Sequence, residues 1–350
     1  TWIASLFAKT GRYEFTACAD YFPDRAEAFG SRFKIPSSNR FTTLSAYKRL
    51  LDTPVDAVVI ESPPYFHPEQ AAAAVDAGKH VYLAKPMAVD VPGCMTIAEA
   101  GKKATAKKLV YLIDFQTRAD DTYIETLRRV HQGAIGRIVS AVASYPWAGT
   151  VHDDRPATTP EERLRLWYQT RALCGDVIVE QDIHALDVAA WFAGADPIKA
   201  VGMGSKSTRR YGDIWGHFAV LYTFPDNFQV SFTSQKNVPG APDEIRCLVY
   251  GTEGIADTDY GGEVAIRGKR PFKGARMTNL YTTGAQRNID DFYNAISSGK
   301  VDNPTVVPSV RSNLTSILGR TAAYRGKEVT WKELISECEC LKPDLRGLKS

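Results

Sequence analysis

The chain has 350 residues, a formal net charge of +3, 44 % apolar residues and 24 % charged ones. That is an ordinary globular composition on a length that exceeds one typical domain, so two domains are expected. So small a charge argues against a nucleic-acid partner, and no apolar run reaches the length that crosses a bilayer. No secretory leader is evident, and the cysteines (Cys18, Cys94, Cys174, Cys247, Cys338, Cys340) form no CxxC pair, so free thiols in a reducing, cytoplasmic setting are expected.

The first third alternates helix and strand. "TWIASLFAKTG" reads as a short amphipathic helix stopped by Gly11, "YEFTACAD" as a strand, "DRAEAFGSRF" as a helix and "VDAVVIESPP" as a buried strand. The alanine-rich helix "HPEQAAAAVDAG", the strand "KHVYLAK", the helix "PGCMTIAEAGKKATAKK" and the strand "LVYLIDFQ" follow. Short apolar runs separated by helices indicate a parallel sheet covered on both faces. After Gln116 the pattern changes. Helices over 120–133 and 175–193 flank the alternating runs "IVSAVASYPW", "HFAVLYTF", "NFQVSFTSQ", "EIRCLVYG" and "GEVAIRG", and the tail returns to helix.

The fold class expected is therefore α/β, a Rossmann-type doubly wound parallel sheet over 1–115. It is joined to an α+β domain with an open, mainly antiparallel sheet over 116–305, and a helical tail over 306–350 packs back on the first unit. A Rossmann unit normally opens with a strand, a GxGxxG turn and a helix that holds pyrophosphate. Here the first residues already read as that helix, and "GMGSKS" at Gly202 lacks the third glycine and the place in the fold. A first strand and glycine loop upstream of Thr1 are expected.

Several residues stand where ligands bind in such sheets, at the carboxyl ends of strands. Asp20 is placed to accept from adenosine ribose hydroxyls, favouring NAD and leaving NADP open through the nearby Arg25. Ser62, Pro63 and His67 lie at the next strand end, where proline stiffens a loop against a flat ring. Lys85 closes the strand after that and is held extended by Pro86. An ammonium there would polarise a substrate hydroxyl and stabilise a developing alkoxide. In "CGDVIVEQDIHALDVAAWFAG", Glu180 and His184 are four apart and expected on one helical face, the carboxylate orienting the imidazole as a general base. A structural i,i+4 pair is the plainer alternative. No second acidic or imidazole cluster completes a coordination sphere, so no metal is expected. Candidates for substrate contact are Gln116 and Arg118 after the last Rossmann strand, Arg163, Trp167 and Tyr168 in "RLRLWYQT", Asp182, and His217 in "IWGHF". Each taken singly reads better as ordinary packing or surface charge; together they suit a sugar ring.

The stretches "ESPPYFHPEQAAAAVDAGKHVYLAKP", "GDVIVEQDIHALDVAAWF" and "ILGRTAAYRGKEVTW" resemble the glucose–fructose oxidoreductase / inositol dehydrogenase family, Gfo/Idh/MocA. The family's Glu-Lys-Pro stands here as Ala84-Lys85-Pro86, and its Asp-x₃-His as Glu180-x₃-His184. The resemblance implies Lys85, Glu180 and His184 as the catalytic set. Asp20, Ser62, Pro63, His67, Lys85 and Gln116 would line the cofactor NAD. It implies hydride transfer between nicotinamide and a secondary hydroxyl of a sugar, sugar derivative or cyclitol, in a homo-oligomer. A redox-neutral glycoside hydrolase or lyase using a transient 3-keto sugar, and a non-catalytic NAD-binding scaffold, are the rival expectations.

Overall fold

The computed structural model describes residues 2–149, 155–206 and 209–350. In the first unit Cys18–Asp20 pairs in parallel with Arg40–Thr42, while Ala57–Ile60, His80–Ala84 and Tyr111–Asp114 form a second parallel sheet in that order. The expected single sheet is thus in two pieces, with no ladder joining Cys18–Asp20 to Ala57–Ile60. The central strand buries Val81, Tyr82 and Leu83 completely, which is why it reads as an unbroken apolar run. The strand expected over 13–20 shortens to three residues because Tyr13 and Phe15 turn instead onto the Phe7 ring, at 4.7 and 6.5 Å.

Helices Pro23–Arg32, His67–Asp76 and Val91–Ala106 connect these strands. The last is capped by Asp90, which accepts from Gly93 N at 2.8 Å and, through its other oxygen, from Leu341 N at 2.8 Å. One buried carboxylate therefore both starts a helix and fastens the C-terminal segment.

The second unit is built on a nine-stranded sheet. Its order is Phe272–Arg276, Glu263–Gly268, Gly254–Asp259, Arg246–Gly251, Ile138–Trp147, Gln229–Lys236, His217–Thr223, Lys199–Ser205 and Val329–Thr330. All neighbours are antiparallel except Ile138–Trp147 with Gln229–Lys236. Sequence reading misses Lys199–Ser205, Gly254–Asp259 and Phe272–Arg276, whose glycines and acids carry weak strand propensity. Their ladders come from neighbours distant in the chain.

One face of this sheet is covered by helices Ile183–Ala193 and Val306–Arg325. The second approaches closely through Gly319, where a Cβ would collide with the Tyr222 hydroxyl. Just past the last parallel strand, Arg118 forms a bidentate pair with Asp187, with Nε 3.0 Å and Nη2 2.8 Å from Oδ1, both side chains largely or wholly buried. That pair ties the end of the parallel sheet to the helix that carries His184.

Candidate active site

Four parallel strands deliver side chains to one edge: Asp20, then Glu61 and Ser62, then Lys85, then Asp114 with Gln116 just beyond. Asp20 accepts from Phe22 N at 2.8 Å through one oxygen, and burial raises its pKa. Asp114 is buried, accepts from Asn288 Nδ2 at 2.7 Å and Gln116 Nε2 at 3.0 Å, and is likewise raised by burial. Glu61 lies at the same edge, open to solvent but with protein packed close around its carboxylate. That enclosure first, then the Asp114 charge, pushes it up to about 7 against the opposing pull of Lys85.

Lys85 reaches across to the other unit. Its Nζ donates to the Glu180 backbone carbonyl at 2.6 Å and to Glu180 Oε1 at 3.3 Å. An ammonium has three N–H bonds, so one remains for an incoming oxygen. Glu180 and His184 do not share a helical face. The expected helix over 175–193 is two helices, Val177–Glu180 and Ile183–Ala193. At the break Asp182 N reaches back five residues to Val177 O at 3.0 Å, so one extra residue rotates everything beyond it. The carboxylate therefore serves Lys85, and the His184 Nδ1 instead meets the Tyr260 hydroxyl at 2.9 Å. Burial, with the charges of Lys85 and Lys236, holds His184 well below the ordinary imidazole range, hence neutral. A neutral imidazole keeps one ring nitrogen unprotonated, the form a general base requires.

Several expected contacts are corrected. His67 is buried with both ring nitrogens against backbone carbonyls, Pro86 O at 2.8 Å and Ser62 O at 2.6 Å. Burial lowers it to about 4. Its single N–H can donate to only one of the two carbonyls, and both ring nitrogens are taken up by the backbone of two strand-end loops. Ser62 gives its hydroxyl to Gln70 at 2.6 Å. Arg118 is engaged through Nε and Nη2 by Asp187 rather than standing as a free cation, and its guanidinium lies 4.9 Å above the Trp191 ring. Asp182 is wholly buried against Lys236 Nζ at 2.8 Å and Ser234 Oγ at 2.6 Å, so it too points away from any ligand. Arg163 faces Asp344 at 3.7 Å. Trp167 is half-buried against the core with Tyr168 edge-on at 6.1 Å. His217 begins a strand opposite Ser205 and Gln235.

The residues that sequence reading misses are Glu61, Tyr260, Tyr281 and Tyr145. Tyr281 stands edge-on to His184 at 5.6 Å and interacts through its hydroxyl with Tyr145. Glu61 had a positional signal, one residue past a buried strand. The tyrosines come from the distant sheet and the helix Leu280–Ser298 and had none.

The edge suits a dinucleotide. Gln116 Oε1 is buried with no hydrogen-bond partner, an acceptor available to a carboxamide, and the second Asp20 oxygen takes no hydrogen bond among the described residues. Such an edge beside a lysine and a neutral histidine defines a nucleotide-dependent oxidoreductase. Residues 2–112 match the model of the oxidoreductase family with an NAD-binding Rossmann fold, and 123–257 match the GFO/IDH/MocA C-terminal domain. The chain belongs to the GFO/IDH/MocA oxidoreductase family. An inositol 2-dehydrogenase of Acidiphilium cryptum is 27 % identical over 294 residues, 83 % of this chain and 76 % of that protein. A levoglucosan dehydrogenase of Pseudarthrobacter phenanthrenivorans is 24 % identical over 264 residues, covering 69 % of this chain and 64 % of its own. The solved aldose–aldose oxidoreductase of Caulobacter crescentus in complex with glycerol shares the fold, with TM-score 0.70, 23 % identity and 94 % and 95 % of the two chains covered. Among the described residues, no helix is long and apolar enough to cross a membrane.

Proposed function

We propose that the protein interconverts a secondary alcohol and a ketone on a sugar, sugar derivative or cyclitol. The observation that carries this is the convergence of Lys85, anchored on Glu180, and the neutral His184 beside the carboxyl edge of the parallel strands. Relatives named for inositol and levoglucosan support the substrate class. Asp20, Pro63 and Gln116 would hold NAD, whose part is to accept or return a hydride. The free N–H of Lys85 holds the substrate oxygen and favours its alkoxide. His184 takes the hydroxyl proton at Nε2, and Glu180 positions Lys85. The exposed tyrosine face at Tyr281 offers an apolar wall to a sugar ring.

We further infer a first unit over 1–115 and a second over 116–305, whose sheet the tail 306–350 completes with the covering helix and the edge strand Val329–Thr330, and a reducing compartment from six unpaired cysteines. A homo-oligomer through the open sheet is supported by Val142, Leu221 and Val201. They lie in one register row and are 43, 44 and 43 % exposed.

The test is a panel of cyclitols, aldoses and aryl glycosides with NAD, following NADH absorbance and aglycone release. Steady NADH production from a cyclitol or sugar is expected. Replacing Lys85→Met should lower kcat by at least ~1,000-fold with the circular dichroism spectrum retained. Aglycone release without net NADH would move the reading to redox-neutral elimination, and full activity of the methionine variant would end the role of Lys85.

A further inference from the structure

The helix Val306–Arg325 carries a buried cation that the alcohol chemistry does not use. Arg320 is 3 % exposed, and its Nη1 donates to Val89 O at 2.7 Å and to Gly175 O at 2.9 Å. Its Nε and Nη2 form the side of the guanidinium that can hold two oxygens at once. Neither has a hydrogen-bond partner among the described residues. A buried cation with its fork unmet by protein calls for an explanation.

That side chain lines a cavity of about 300 Å³, with Arg171, Thr321, Tyr324, Arg325 and Glu339. Arg171 lies 4.5 Å over the Tyr324 ring, and its guanidinium makes no hydrogen bond or ion pair among the described residues. It stands close enough to Arg320 for the two charges to repel. The Thr321 hydroxyl, on a residue 5 % exposed, also forms no hydrogen bond among the described residues. Arg325 is paired with Glu337. The carboxylates near Arg320 are those of Asp176, Glu339 and Asp90, and none forms an ion pair with it. Asp176 accepts from the Tyr324 hydroxyl at 2.6 Å and from the backbone of Val177 and Trp215, and Asp90 from Gly93 and Leu341. Glu339, exposed on the C-terminal segment, is the one anion at the cavity wall.

We propose that this cavity is a binding site for a small oxyanion, a phosphate or a carboxylate, held by Arg320 Nε and Nη2 with Arg171 and Thr321 donating beside them. None of Lys85, Glu180 and His184 lines it, so the proposal stands apart from the alcohol chemistry. Through Nη1 the same guanidinium ties the loop after Lys85 to the turn before the helix of Glu180. An anion on the fork therefore stiffens that joint.

The experiment is calorimetric titration of the full protein with inorganic phosphate and, separately, with malonate, at an ionic strength held constant with chloride, beside thermal unfolding. Saturable binding of at least one, with Kd below ~5 mM and an unfolding midpoint that rises as the site fills, is expected; which one binds separates phosphate from carboxylate. Arg171→Met should weaken binding by ~10-fold or more, and so should Arg320→Lys, which keeps the charge but loses the fork. If Arg320→Lys does not fold, Arg171→Met decides. Glu339→Gln should tighten binding by ~3-fold or more. No saturable binding of either anion by wild type, or an affinity unchanged in Arg171→Met, would overturn the proposal. Binding by Glu339→Gln alone would also overturn it, since the tail carboxylate would then be the anion the cavity holds.

Discussion

Truncating Asp187 to alanine would strand a guanidinium. Arg118 is only 10 % exposed and Asp187 not at all, and their closest approach is 2.8 Å. At an effective dielectric of about 20, that separation gives roughly 6 kcal/mol of attraction. Without the carboxylate, Arg118 keeps the Ser312 hydroxyl at 3.4 Å and the Trp191 face at 4.9 Å, so part of its stabilisation survives. A loss of about 3–5 kcal/mol is the expected net, in line with breaking a buried pair from one side. Urea unfolding followed by tryptophan fluorescence and circular dichroism measures it, since Trp191 lies in the contact. Removing both charges, as Arg118→Met with Asp187→Leu, should recover most of that loss, because no isolated charge remains buried. The reasoning is refuted if Asp187→Ala costs less than about 1 kcal/mol. It is equally refuted if Arg118→Met raises KM for the sugar while leaving the unfolding midpoint unchanged; Arg118 would then touch substrate.

Two further outcomes follow from other parts of the site and fold. Because burial and the cations Lys85 and Lys236 depress His184, the base stays neutral as pH falls through the ordinary imidazole value. The acid limb of kcat/KM should therefore lie below about pH 6.5, and a limb at or above it would contradict the assigned environment. Gly319→Ala should destabilise by about 1–3 kcal/mol in urea unfolding, since its Cβ meets the Tyr222 hydroxyl and a buried helix must shift from the sheet; an unchanged midpoint would show slack in that contact.

Much of the architecture was legible locally. The apolar runs at 57–60, 80–84 and 111–114 announced buried parallel strands, and a strand end followed by proline marked Lys85 as a side chain aimed at an edge. Glu180 and His184 were recognisable as chemistry-bearing residues. Their partners were not, because a bulge at Gln181–Asp182 undoes the spacing that would pair them. Arg118 and Asp182 stood among the candidates for a ligand, although packing or surface charge was the plainer reading of each. Local spacing offers no means of telling the two apart.

Residue type and local position, then, by themselves singled out one amine and one imidazole as candidates for chemistry, since both signals depend on neighbours a few residues away. Only the tertiary structure decided what holds each of them. Tyr260, Lys236 and Asp187 arrive from strands and helices far along the chain, and burial of a charge is a property of the space they close together, which no stretch of sequence carries alone.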